Sequence, residues 1–166
     1  MVHALHGASL TFVKVPGLTL SFYHTEPLPY KISFEGRCYS NQAADIFLYL
    51  RLIIDHYLLY ANKFVLNTAD RYKYFSGFTG NHYIALMGDW SWFASPPTMT
   101  MCSFSDIIYM NSGLQVIDIG VRGGYDTGIG ASSLSVDVCI LRIEVIQFDP
   151  HAHIELMPVN IMLTTS

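Results

Sequence analysis

The segment from His151 to Glu155 carries the side chains with the clearest capacity for chemistry. His151, His153 and Glu155 alternate with Ala152 and Ile154, so an extended chain would present all three polar groups on one face. Two imidazoles and a carboxylate in that arrangement can ligate zinc. The commoner role of such a segment is a solvent-facing strand edge or a polar contact between chains. We therefore expect no bound metal here unless several copies converge on a threefold axis.

The aromatic-rich centre of the chain is a second candidate site. Aromatic side chains with a polar end are enriched in protein interfaces, and they can also stack on sugars. A sugar site would depend mainly on the two tryptophans. The simpler interpretation places these rings in a sheet core and in subunit contacts. The rings concerned are Tyr72, Tyr74, Phe75, Trp90, Trp92 and Phe93.

Residues that could form a catalytic group are dispersed along the chain. Aspartates such as Asp45, Asp55 and Asp126 lie beside predicted turns, where the carboxylate usually accepts hydrogen bonds from its own backbone. Acid–base or nucleophilic catalysis needs groups that converge, and Ser132-Ser133 lacks the context of a nucleophile elbow. The sequence therefore predicts a protein that is not an enzyme and that binds no cofactor.

The glycine-dense stretch at residues 123–130 resembles a phosphate-binding loop only superficially. A phosphate loop follows a strand and opens a helix. Residues 134–148 instead alternate between apolar and polar side chains, which is typical of a strand. We expect a hairpin loop at residues 123–130.

The elements that would position these groups are β-strands. Apolar and polar residues also alternate over residues 30–39 and over the later part of residues 107–122, and this period places the two sets on opposite faces of a strand. An extended segment over residues 98–104 is expected to end before Asp106, so that residues 107–122 form a separate β segment. Residues 44–54 alternate in the same way, although a helix over residues 43–60 stays open as an alternative. Asp55-His56 is then expected to form a hairpin turn into Tyr57.

These strands predict an all-β fold, an antiparallel β-sandwich or single jelly roll of eight to ten strands. The hydrophobic faces need partners, and a second sheet supplies them. Residues 1–148 form one predicted domain. Residues 149–166 form an apolar C-terminal tail that we expect to pack on a neighbouring subunit.

The composition indicates a surface shared with other chains. Of 166 residues, 51% are hydrophobic and 13% are charged, against roughly 25% charged residues in ordinary soluble domains. Burial against neighbouring chains is the simplest reason for so few charges. The formal net charge of -4 argues against binding nucleic acid, which requires basic residues.

The sequence also predicts no membrane contact and no disulfide. The most apolar window, residues 46–60, is interrupted by charged and polar side chains and is too short to span a bilayer. The odd count of three cysteines, Cys38, Cys102 and Cys139, favours reduced, buried thiols.

Short segments of the chain resemble a known family of β jelly rolls. The runs Phe34-Glu35-Gly36 and Leu50-Arg51-Leu52-Ile53-Ile54-Asp55, with residues 108–116, 133–136 and 141–143, are similar to the tumour necrosis factor/complement-type domains found in phage fibres, decoration proteins and other virion components. The match extends over residues 10–148. It departs from the family at His56, where the pattern prefers glycine.

This resemblance implies a function through binding rather than catalysis. It suggests a homotrimer that is incorporated into the virion, where it contacts other virion proteins in a capsid or fibre. The expected reduced cysteines, and a first segment that does not resemble a signal peptide, predict synthesis in the host cytoplasm. The alternative is a carbohydrate- or receptor-binding module on a host-facing appendage, with glycan as the partner.

Overall fold

The computed structural model describes residues 2–6, 9–40, 46–60, 63–75, 90–94, 98–124 and 133–147. Most of these residues lie in antiparallel strands, and one short 3₁₀-helix spans Arg71–Tyr74. No helix within these ranges is long and apolar enough to cross a membrane. The strands are β1 (Val2–His6), β2 (Val13–Lys14), β3 (Leu20–His24), β4 (Leu28–Ser40), β5 (Ile46–Ile54), β6 (Tyr57–Tyr60), β7 (Lys63–Leu66), β8 (Trp90–Ala94), β9 (Thr98–Met110), β10 (Gly113–Gly123) and β11 (Ser133–Val145).

The strands form two sheets. Sheet A has the order β1-β11-β4-β9, and sheet B has the order β2-β10-β5-β6-β7, with β3 also pairing with β10 and β8 with β5. The chain passes repeatedly from one sheet to the other, which gives a jelly-roll-like strand order. The predicted all-β antiparallel sandwich is confirmed. The described strands number ten when the two-residue β2 is set aside.

The main core lies between the two sheets. Sheet A contributes Ile32 and Phe34, and sheet B contributes Leu50 and Ile119; all four side chains are fully buried in one cluster. This arrangement follows from the alternation of residues along each strand, because every second side chain points to the same face. The inward faces of both sheets therefore meet, as the sequence predicts.

The competition between helix and strand at residues 44–54 is resolved in favour of the strand. β5 runs over Ile46–Ile54 and pairs with β10 along seven residues. The hairpin turn at Asp55-His56 is confirmed, with φ of 48° and 74°, as the type I′ connection requires. The Asp55 side-chain Oδ1 accepts a hydrogen bond from the Val116 backbone N–H at 2.9 Å, which fixes the turn against β10.

The strand boundaries near Asp106 differ from the sequence prediction. A break was expected before residue 107, with one β segment over residues 107–122. β9 instead continues through Asp106, which is half-buried within the strand, and the turn comes at Asn111-Ser112. Gly113, which starts β10, has φ of 132°, a conformation that favours glycine.

Two of the three cysteines are joined, so the expectation of reduced thiols is wrong for Cys38 and Cys102. Their Cα atoms are 6.1 Å apart and the two are bonded, while Cys139 is free. The pairing of β4 with β9 places Cys38 opposite Thr100, so Cys102 lies diagonally across on the same inward face. Strand register brings together two residues separated by 64 positions, which their spacing alone does not indicate.

Candidate functional site

The two tryptophans of the alternative sugar site point into the sandwich. Trp90 pairs with Leu50 and Trp92 with Leu48, and both leucines face the main core. The two indole rings are partly buried against that core, with their centroids 6.5 Å apart. Their geometry is that of core residues near a sheet margin, not of a platform open to a ligand.

The other predicted aromatic residues lie elsewhere on the molecule. Phe93 has the opposite orientation on β8, is 46% exposed, and its ring centroid lies 4.8 Å from that of Phe47. Tyr72 is partly buried against a second apolar cluster, and Tyr74 is exposed. The structure therefore does not gather the predicted rings into one binding surface.

The metal candidates His151, His153 and Glu155 lie outside the described residues, as does the whole predicted tail. Most of the predicted glycine loop, residues 125–130, also lies outside them. Within the described ranges, no group of three or more histidine, cysteine or acidic side chains is close enough to hold a metal ion.

The outer face of sheet B is covered by a second apolar cluster. Phe12 packs over this face, and the backbone N–H and C=O of Phe12 are both bound by the Asn67 side-chain amide at 2.8 Å. Asn67 thus holds the segment around Phe12, which is 55 positions away in the sequence, over the sheet. The buried members of the cluster are Phe12, Tyr49, Ile53, Leu58, Tyr60, Val65 and Phe75.

Three fully buried arginines lie among these aromatic rings. The guanidinium carbon of Arg122 is 4.7 Å from the Tyr49 ring centroid, that of Arg51 is 5.1 Å from the Tyr60 centroid, and that of Arg71 is 5.3 Å from the Phe12 centroid. Cation–π attraction of this kind strengthens when water is excluded. Each arginine is therefore part of the packing that closes this face.

Hydrogen bonds from these arginines tie the covering segments to the sheet. Arg71 donates from Nε to the Tyr60 hydroxyl at 3.2 Å and from Nη1 to the Thr68 carbonyl at 2.9 Å, and Nη1 also donates to the Leu10 carbonyl. Arg122 Nη1 donates to the Ser9 carbonyl at 2.9 Å. The guanidinium groups therefore satisfy loop carbonyls, which is a structural role.

A buried carboxylate on the same face is also engaged in a structural contact. Asp118 lies 2.6 Å from Lys14 Nζ and accepts a hydrogen bond from the Thr19 hydroxyl at 2.5 Å. These contacts hold the chain around β2 and β3 onto β10.

The outer face of sheet A is open and carries a ladder of ion pairs between β4 and β11. Arg37 donates from Nε and Nη2 to the two Asp137 carboxylate oxygens at 2.6 Å each, and Arg142 lies 3.1 Å from Glu35. The hydrogen bonds from Arg37 lower the pKa of Asp137. This half of the face has the polar character predicted for residues 30–39.

The outer side of β9 is different, because its exposed side chains are uncharged over the entire strand. Met101 is 70% exposed and Ile107 is 62% exposed, and two serines lie between them. Edge strands in soluble proteins normally carry charges, prolines or bulges that prevent pairing with another chain. The outward residues are Met99, Met101, Ser103, Ser105, Ile107 and Tyr109.

β9 also forms the margin of its sheet. Among the described residues it pairs with β4 alone, through thirteen consecutive residue pairs without a bulge. Sequence reasoning missed this surface because it ended the strand too early. The uncharged alternate positions from 99 to 109 were the available signal.

No protein-family model, curated protein or solved structure matches this chain. The resemblance to tumour necrosis factor/complement-type jelly rolls therefore stays a prediction.

Proposed function

We propose that this protein is a non-enzymatic structural component of a virion and that it acts by assembling with copies of itself. The observation that carries the proposal is the outer side of β9, where large apolar side chains are exposed beside a strand edge that pairs with no second strand among the described residues. A surface of this kind promotes aggregation of an isolated chain, whereas in an assembly it is buried and stabilises the contact between subunits.

The low charge of the whole chain supports the same conclusion. Only 13% of residues are charged, and several of those that the structure describes are used inside the protein rather than on its surface. Arg51, Arg71, Arg122 and Asp118 are all buried. The exposed surface is correspondingly poor in groups that keep proteins apart in solution.

The placement in a virion rests on the family resemblance together with the jelly-roll-like strand order. In this reading, the protein decorates or stabilises a capsid or forms part of a fibre. The resemblance favours three copies around an axis. The buried side chains serve packing and loop contacts, which fits a role in construction rather than catalysis.

Sedimentation velocity and native mass spectrometry on the full chain test the proposal. We expect a homo-oligomer at micromolar concentration, with the mass of three chains or a multiple of it. A chain that stays monomeric through the micromolar range would overturn the proposal.

A further inference from the structure

The uncharged outward side chains of β9, at alternate positions from 99 to 109, have the pattern of a strand that can pair with a second copy of itself. We propose that β9 of one copy pairs antiparallel with β9 of a second copy, across a two-fold axis at Phe104. This contact joins two four-stranded A sheets into one continuous sheet of eight strands. The inference rests on the proposed self-assembly and names the surface that carries it.

The backbone of β9 is prepared for such pairing. Its register with β4 is unbroken from Thr98 to Met110, so the strand is regular over about 41 Å at roughly 3.4 Å per residue. In an antiparallel ladder, the backbone groups of an edge strand that point away from its partner are free to bind another strand. Within the described residues, no strand pairs with β9 on the side opposite β4, so this side can serve as a template.

The side chains of β9 are self-complementary about Phe104. In this register Ser103 faces Ser105 of the second copy, Met101 faces Ile107, and Met99 faces Tyr109. Apolar residues therefore meet apolar residues, and the two small serines lie at the centre, where the sheets approach each other. Directly opposed pairs of this kind are the unit of sheet stabilisation.

Charge and the pairing of apolar residues together favour the same register. Asp106 is the charged residue of β9, and the axis at Phe104 places it opposite Cys102 of the second copy. Moving the axis to Asp106 would bring the two aspartates face to face, which is destabilising. Moving it to Cys102 would place Met101 and Met99 opposite serines and lose both apolar pairs. An axis at Ser103 would place Met101 opposite Ser105, and an axis at Ser105 would place Ile107 opposite Ser103. Among these registers, the axis at Phe104 is the one that pairs Met101 with Ile107 and keeps the two aspartates apart.

A second copy is therefore a better partner than an unrelated chain. Two-fold contacts between identical surfaces are the commonest form of oligomer contact, and they require the self-complementarity that β9 shows. A threefold contact elsewhere on the molecule would leave this two-fold contact available to link trimers.

Opposite charges placed at two residues that face each other across the proposed contact test the register. Met101→Lys and Ile107→Glu should each weaken self-association by about a hundredfold, because each buries an unpaired charge twice in the symmetric contact. Mixing the two variants should restore association, since Lys at position 101 of one copy then faces Glu at position 107 of the other. Sedimentation equilibrium measures all three. Both substituted side chains are exposed, so the melting temperature should change little.

Tyr23→Lys is the matched control. Tyr23 is as exposed as Met101, at 70%, but lies on β3 of the other sheet. It should leave association unchanged. An equal loss in this variant would show that added charge alone disperses the assembly, and would overturn the β9 contact.

Disulfide trapping gives an independent readout. In a Cys139→Ser background, a mixture of Ser103→Cys and Ser105→Cys chains should form a cross-linked pair under mild oxidation. A mixture of Ser103→Cys and Tyr109→Cys should not, because this register separates those positions by about 13 Å. Cross-linking of the second mixture alone would contradict the register.

The two proposals fail in different ways. If the unmodified chain is a monomer, both are overturned. If it assembles normally and neither the charge variants nor the cysteine pairs alter or trap the contact, self-assembly stands and the β9 contact is wrong.

Discussion

The outer faces of the two sheets differ in their exposure to solvent, although core and outward residues alternate along the strands of both sheets. Polar or charged residues alternate with the core residues in both, as with Arg51 in β5 and Glu35 in β4. In sheet B these residues are buried beneath a cluster anchored by Phe12, whereas in sheet A most of them are exposed and Asp137 is buried. The period of a strand therefore identifies its two faces, but the segments that cross over a face decide whether water reaches it.

The largest expected effect concerns how each sheet is held. Sheet A is tied by the Cys38–Cys102 bond, which closes a loop of 64 residues. Replacing both cysteines with alanine should lower the free energy of unfolding by about 4 kcal/mol, because the unfolded chain regains the entropy of that loop. Urea unfolding measures the change. The control Cys139→Ala should cost much less, and equal losses in the two variants would argue against a disulfide.

A comparison of two arginines tests the contrast between the faces directly. Arg71→Met on the covered face should cost about 3 kcal/mol, because it removes a fully buried guanidinium that donates to the Tyr60 hydroxyl and to the Leu10 and Thr68 carbonyls. Arg142→Met on the open face should cost about 0.5 kcal/mol, since its pair with Glu35 is exposed and such pairs contribute little. Thermal and urea unfolding of both variants measure the difference. Similar losses would mean that the covered face is not closed to water.

The covered face of sheet B also has less space for an added side-chain atom than the outer face of sheet A. A Cβ at Gly120 would lie 2.7 Å from Ile53 Cδ1 and 3.1 Å from Phe12 Cβ, so Gly120→Ala should lower the free energy of unfolding by about 2 kcal/mol. Ser33→Ala, at an outward position of sheet A, should change it by less than about 0.5 kcal/mol. Urea unfolding of the two single variants provides the comparison. An unchanged Gly120→Ala protein would show that Phe12 does not pack closely on the sheet.

The smallest expected effect is a pH dependence on the open face. Hydrogen bonds from Arg37 lower the pKa of Asp137 in the folded state, so this carboxylate stabilises the fold above the ordinary aspartate pKa. That contribution is lost as the pH falls through the lowered folded pKa. Asp137→Asn should remove this part of the acid sensitivity, measured as the free energy of unfolding against pH. Glu144→Gln, whose pair with Lys31 is longer at 3.7 Å, is the control; parallel curves for Asp137→Asn and the parent chain would contradict the assignment.

Local patterns in the sequence were sufficient to predict the strands that alternate strictly. Residues 30–39 and 44–54 became β4 and β5, and Asp55-His56 became the hairpin turn, because each depends on neighbours in the chain. The end of β9 was missed because a single charged residue, Asp106, was taken as a turn signal although it lies within the strand.

The features of the candidate site depend on contacts between distant segments, so the sequence did not predict them. Arg51 was expected on the face opposite the core, but its burial depends on residues outside its strand. The aromatic content near Trp90 and Trp92 marked the region as a candidate site, but it did not show which face of the strand the two rings occupy. Their pairing with Leu50 and Leu48, which face the core, places both rings on the inward face. The disulfide likewise depends on the register between β4 and β9.

The disulfide has a consequence for how this protein can associate. An edge strand that pairs with a strand of another copy can often also leave its own sheet and be exchanged between copies by domain swapping. Here Cys102, two residues from the centre of β9, is covalently fastened to β4. In the proposed contact, assembly through this strand would therefore proceed by addition of whole subunits, and reduction of the bond would remove the barrier to strand exchange.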